Sequence, residues 1–113
     1  MQRTYSLKKN AQFKYVYRRG TSGGSHEMVM LYARAGTLKV GFSVGKKLGC
    51  AVVRNRVRRR LREVYRLHEE QFAPGWDIVV VARSRCVKAD FGKLTDAYLS
   101  LAEKAGILKE AAQ

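Results

Sequence analysis

Apolar and polar residues alternate strictly from Leu38 to Val44, where Leu38, Val40, Phe42 and Val44 are separated by Lys39, Gly41 and Ser43. A period of two marks a strand with one face in a core and the other kept small or polar. Met28 to Arg34 reads as the preceding strand, joined to it through Gly36. Further upstream, Phe13, Val16 and Tyr17 fall at i, i+3 and i+4, on one face of a helix. Asn10 is placed to cap that helix and Gly20 to stop it. Thr21 to Ser25 is rich in Gly and Ser and reads as a turn or edge segment. Gly45 to Gly49 is a short loop carrying Lys46 and Lys47, and a long helix is expected from Ala51 to His68. Its apolar stripe is Val53, Val57, Leu61 and Val64. Pro74-Gly75 is a turn. Trp76 to Ala82 is apolar on both faces, the mark of a central strand. Asp90 can cap a last helix with the stripe Leu94, Ala97, Tyr98, Leu101 and Ala105, stopped at Gly106. The order is helix, strand, strand, helix, strand, helix, with room for a short extra strand near residues 21–25. That is an α+β arrangement, with helices covering a mixed sheet.

The chain has 113 residues, enough for one domain with its own core, and 46% of them are hydrophobic, which excludes a wholly disordered basic tail. The apolar runs, such as Ile78 to Ala82, are far too short to cross a bilayer, and Met1 to Lys9 lacks an apolar signal core. Cys50 and Cys86 have no partners at metal-ligand spacing and form no disulfide framework, so they read as reduced thiols of a cytoplasmic protein. Charge changes the picture most. The net charge is +14, and residues 1–68 hold 17 Lys+Arg against only Glu27 and Glu63. A solubilising surface would mix both signs, so a polyanion is expected as partner, with nucleic acid ahead of an anionic membrane.

The positive charge concentrates on the long helix, in Arg54, Arg56, Arg58, Arg59, Arg60, Arg62 and Arg66, with Glu63 the one acid. Pairing at i, i+4 cannot balance this pattern, whereas phosphates can, often bidentately and with release of counterions. The helix N-terminus beside Lys46 and Lys47 adds free N–H groups and a positive dipole end. No short turn between two helices precedes it, as a major-groove reader would need. Aromatic residues near a basic surface point instead to unpaired bases. Phe13 and Tyr17 share a helix face, while Tyr32 lies in phase with Met28 and Met30, opposite to Val29 and Leu31. For each of them core packing is the competing role.

These residues resemble those of one family, the protein subunit of bacterial ribonuclease P. The resemblance runs from Leu7 to about Leu101. It includes Leu7-Lys8-Lys9 before Phe13, Gly20, and the strand Met28 to Tyr32. It is most specific in the unbroken block Val40-Gly41-Phe42-Ser43-Val44, Lys46-Lys47, Gly49, Ala51-Val52-Val53 and Arg54-Asn55-Arg56. The resemblance implies a small α/β sandwich, a four-stranded mixed sheet with three helices and a left-handed β-α-β crossover. The general handedness rule would suggest the opposite hand. It also implies a non-catalytic cofactor of an RNA enzyme that removes the 5′ leader from precursor tRNA, with one protein per RNA and no membrane. The RNA would supply the active site and coordinate Mg2+, with no cofactor held by the protein. Lys46, Lys47, Arg54, Asn55, Arg56, Arg58, Arg59, Arg60 and Arg62 would bind the catalytic RNA. Phe13, Tyr17 and Tyr32 would line a cleft for the single-stranded leader, between the first helix and the sheet. The whole chain would be one RNA-binding domain, with residues 1–9 a flexible basic arm and 107–113 a frayed tail.

Some positions depart from the family pattern. Gly45 replaces a Ser, Cys50 an Asn and Arg60 an apolar residue, and Gly23-Gly24-Ser25-His26 replaces an Ala-Asn-Arg-like stretch. Asn is a good N-cap and Cys is not, so the basic helix is expected to start differently here, and Arg60 to enlarge its basic face. Two other classes compete. A small basic ribosomal protein explains the charge but gives no role to a cleft aromatic set. A free-standing nuclease would need a matched acid and base or a metal cluster. His26 and His68 come from distant segments, and Glu69 and Glu70 read as surface residues near a helix end.

Overall fold

A computed structural model describes residues 5–6 and 10–108 of the chain, with side chains from Phe13 onward. The elements in chain order are β1 (Tyr5–Ser6), α1 (Asn10–Arg19), β2 (Thr21–Gly24), β3 (Met28–Arg34), β4 (Lys39–Ser43), α2 (Ala51–His68), β5 (Trp76–Ala82) and α3 (Phe91–Ala105). They form one mixed sheet in the order β1-β4-β5-β3-β2. β4 pairs with β5 in parallel, so β4, α2 and β5 make a β-α-β unit, and β3 pairs antiparallel with both β5 and β2. The central position expected for Trp76 to Ala82 is the one β5 occupies.

The register divides the sheet into two faces. Met28, Met30 and Tyr32 of β3 lie beside Ala82, Val80 and Ile78 of β5, and Val40 and Phe42 of β4 continue this row. α2 and α3 cover this face with Val57, Leu61, Val64 and Tyr65 from one helix and Leu94, Tyr98 and Leu101 from the other. Tyr65, Phe72 and Tyr98 form an aromatic cluster at its centre, with ring centroids 4.9–6.3 Å apart. Edge-to-face contacts of this kind add to the area that each ring buries. On the opposite face α1 lays Val16 on Val79, flanked by Phe13, Leu31 and Val81. The layers are therefore α1, sheet, and the α2–α3 pair.

Local chemistry sets the element ends. Asp90 caps α3 by accepting the N–H of Lys93 at 2.8 Å, and Gly106 closes it in the left-handed region at φ 75°. Gly20 is required by close approach, since a Cβ there would stand 2.3 Å from the Val16 carbonyl oxygen and 2.9 Å from that of Tyr32. The cap role of Asn10 falls on a side chain outside the described residues.

The edge segment expected near residues 21–25 is a strand, Thr21–Gly24, in full register with β3 and held by pairing despite weak β propensity. Two features differ from the sequence expectations. Within the expected flexible arm, Tyr5–Ser6 forms a fifth strand in parallel with Lys39–Val40, while residues 1–4 and 7–9 lie outside the described residues. The expected frayed tail begins packed. Ile107 is fully buried, its N–H bonds the Ala102 carbonyl, and Leu108 bridges to Phe72. Residues 109–113 lie outside the described residues.

Candidate nucleic-acid interface

The basic surface begins where β4 ends. Lys46–Leu48 form one 3₁₀ turn, and Gly49 follows at φ 142°, where a Cβ would press within 3.1 Å of Val53. That backbone suits glycine alone. Cys50 is the N-cap of α2, in extended conformation and with no side-chain cap hydrogen bond, which is the different start that its identity suggested. The N–H dipoles of Val53 and then Val52 lower the Cys50 thiol below its ordinary value. The first turn of α2 holds no acid, and the exposed side chains of Lys46 and Lys47 make no ion pair among the described residues.

Along α2 the inward stripe is Val57, Leu61, Val64 and Tyr65. Val53 is only half-buried, and Tyr65, absent from the sequence stripe, is fully buried. The guanidiniums divide into two groups. Arg66 pairs with Glu63, Arg58 donates to Asn55 Oδ1 at 3.1 Å, and Arg60 donates to the Ala89 carbonyl at 2.5 Å. Arg56, Arg59 and Arg62 are exposed, and among the described residues none of them has an ion pair or hydrogen bond through its side chain. Arg54 is half-buried, and its Nε is sealed from water without an acceptor. Arg60 is placed differently from the sequence expectation. One of its nitrogens ties α2 to the segment before α3, so only part of its donor set remains for a ligand.

The aromatic set separates. Phe13 sits half-buried against the Val16–Val79 pair, and Tyr17, one turn on, is 47% exposed on the same helix. Tyr32 is on the other face of the sheet, packed with the α2–α3 core and edge-on to Trp76. The expected trio of Phe13, Tyr17 and Tyr32 is therefore not assembled. The side chain from β3 that meets α1 is Leu31. Alternation along β3 decides this, and Tyr32's phase with Met28 and Met30 was the signal for it. Beyond α1 the same face carries Lys39, Gly41 and Ser43 of β4, none of them a bulky apolar residue, so the floor beside the helix stays low. Tyr15, also on α1 and half-exposed, donates its hydroxyl to the Arg34 carbonyl and was not singled out in the sequence. Asp77 is buried on this face. Burial raises its pKa, and Lys39 opposes that shift.

The groups weighed for catalysis do not converge. His68 Nδ1 lies 3.0 Å from the Val64 carbonyl at the end of α2, and His26 is exposed in the β2–β3 connection. Glu69 is buried and Glu70 exposed. Among the described residues no group of three His, Cys, Asp or Glu side chains is placed to hold a metal ion.

A mixed sheet with a cation-rich helix on one side and an aromatic-bearing helix on the other defines a small basic α/β protein. The comparisons narrow that class: the Ribonuclease P family model matches residues 1–106, and the chain belongs to this family. A ribonuclease P protein component from Natranaerobius thermophilus is 40% identical over 113 residues, covering 97% of each chain. One from Thermoanaerobacter sp. is 44% identical over 100 residues, covering 87% of this chain and 86% of the relative. The solved RNase P protein of Staphylococcus aureus has a TM-score of 0.83 at 29% identity, covering 93% of this chain and 98% of that one. That of Thermotoga maritima has a TM-score of 0.80 at 27% identity, covering 88% and 96%. The chain is thus a protein subunit of the ribonuclease P holoenzyme, the endoribonuclease of tRNA 5′-end maturation.

Proposed function

We propose that the surface from Lys46 to Arg62 docks on the catalytic RNA of ribonuclease P, and that the sheet face beside α1 holds the single-stranded 5′ leader of precursor tRNA. One observation carries this reading: Lys46, Lys47, Arg56, Arg59 and Arg62 are exposed and lack protein anions among the described residues, around a helix N-terminus with no acid in its first turn. Phosphates of a structured RNA supply the missing charge. Asn55 orients Arg58, and Arg60 braces the helix while keeping a positive charge near the same surface. On the other face Tyr17, with Phe13 beside it one turn back on α1, offers a platform for unpaired bases that is tolerant of sequence. The protein acts in the cytoplasm as one copy per RNA, and it binds and positions. Hydrolysis belongs to the RNA with its Mg2+, which supplies metal activation of the attacking water. The test compares the protein alone, the RNA alone and the two together on precursor tRNA. The protein alone should cleave nothing. The RNA alone should cleave only when high salt or high Mg2+ screens its own repulsion. The complex should cleave at lower salt. Cleavage by RNA-free protein would overturn the proposal.

A further inference from the structure

A second cationic feature lies away from the exposed rows of α2. The 3₁₀ turn Lys46–Leu48 and the β5–α3 connection border an open surface pocket of about 540 Å³, within the range of sites that hold a small organic group. Leu48, Val87 and Ala89 give it half-buried apolar walls. Lys47, Arg85, Lys88 and Lys93 stand around it, with Glu27 as the single acid in the lining. Among the described residues, none of these four cations has a salt bridge or a hydrogen bond through its side chain. Four unspent cations beside an apolar hollow are not explained by packing.

The wall is also fixed. Arg83 donates through its backbone N–H to the Glu27 carbonyl and through its guanidinium to the Ser25 carbonyl, each at 2.9 Å. Arg60 reaches from α2 to the Ala89 carbonyl, and Asp90 caps α3 just beyond it. The cations therefore project from a braced frame, and a ligand meeting them loses little to ordering the loop. Lys47 belongs both to this pocket and to the basic start of α2, so the two surfaces are continuous.

We infer that this pocket receives an unpaired nucleotide of the same RNA that docks on α2, with its base against Leu48 and Val87 and its flanking phosphates on Lys47, Lys88 and Lys93. The inference rests on the docking reading given above. RNA is favoured because the pocket runs on from a surface whose charge already calls for a polyanion, and because base and phosphate together match apolar walls inside a cationic rim. The walls lack an aromatic ring, so the phosphates carry most of the attraction and the site tolerates any base.

The experiment uses the full chain and its cognate catalytic RNA. Lys88→Ala/Lys93→Ala removes two exposed side chains and keeps the Lys93 N–H that Asp90 accepts, so the melting temperature should hold. Affinity is measured over a series of monovalent salt concentrations, and 2′-hydroxyl acylation maps the RNA in each complex. The log–log salt slope should become shallower by about one to two units, since each lost phosphate contact removes roughly 0.7–0.9. One discrete unpaired nucleotide, protected by the wild-type protein, should become reactive. Lys88→Arg/Lys93→Arg should restore both. An unchanged slope would overturn the inference. So would a shallower slope with no local change in the RNA, which would mean diffuse attraction without a seated nucleotide. Arg54→Ala/Arg56→Ala, run in parallel, separates the two claims. If it weakens binding while the lysine variant does not, α2 docking stands and the pocket assignment falls. If it leaves binding unchanged, the docking reading itself falls.

Discussion

Tyr32 stands edge-on to Trp76, ring centroids 5.7 Å apart, on the face of the sheet opposite to Val16 of α1. Its neighbour Leu31 points the other way and packs beneath α1. One step along β3 thus divides the residues that hold the core from those that can meet an unpaired strand.

This division predicts different losses at two tyrosines. Tyr17→Ala removes an exposed ring, and stacking of a base on an aromatic is worth about 1–3 kcal/mol, so holoenzyme affinity for leader-bearing tRNA should fall very roughly 5- to 150-fold. Affinity for tRNA without a leader should stay nearly constant. Tyr32→Ala should instead lower stability by about 1–3 kcal/mol in denaturant titration and leave the ratio of the two affinities near the wild-type value. Equal losses for both tRNAs in Tyr17→Ala would remove α1 from the leader site.

Period and capping made most elements legible. The two-residue alternation around Val40, the three- and four-residue stripe of α2 and the Asp90–Gly106 bracket of α3 all reflect local chemistry that tertiary structure does not override. What stayed hidden depends on partners distant in sequence. Tyr5–Ser6 becomes a strand only because β4 offers an edge, and a pair of residues carries no period. Thr21–Gly24 reads as a turn or an edge strand, and pairing with β3 decides between the two. Arg60 looks like one more phosphate ligand until Ala89, 29 residues on, is brought to its guanidinium. The site divides the same way. The cation pattern of α2 is visible in one dimension, while the face on which Tyr32 lands follows from its phase in β3 once α1 is placed.

The two cysteines should differ sharply in reactivity. Cys50 is exposed, and its thiol is lowered by the Val53 and Val52 N–H groups. Cys86 is fully buried, and burial pushes its thiol up to about 11. Iodoacetamide near neutral pH should add one label to the native protein, at Cys50, and a second only after denaturation, as intact mass would show. Catalytic RNA should slow the first labelling, because Cys50 lies at the start of the docking helix. Prior labelling of Cys86 in the native protein would contradict the packing described.

Asp77 gives a pH dependence with a definite sign. Burial raises its carboxyl above the ordinary value, so the folded chain binds a proton more tightly than the unfolded chain there. Stability is then lost as pH rises from the ordinary carboxylate range through the raised pKa, and acidification recovers it. Asp77→Asn should therefore melt higher than wild type near neutral pH. Its advantage should shrink towards roughly pH 4, where the unfolded carboxyl also begins to protonate. A variant less stable than wild type at neutral pH would mean that attraction to Lys39 outweighs desolvation.

The docking of α2 on RNA is tested most directly by the salt dependence of binding to the catalytic RNA for Arg54→Ala/Arg56→Ala. Both substitutions leave Val57, Leu61 and Val64 in place, so the fold should persist. The log–log slope should become shallower by roughly one unit per lost phosphate contact, with affinity falling most at low salt. Arg60→Ala makes the internal contrast. It should cost stability, about 1–2 kcal/mol for a partly exposed charged hydrogen bond to Ala89, and change the slope less. A slope that does not move in Arg54→Ala/Arg56→Ala, with the fold intact, would contradict the assignment of this helix to the RNA.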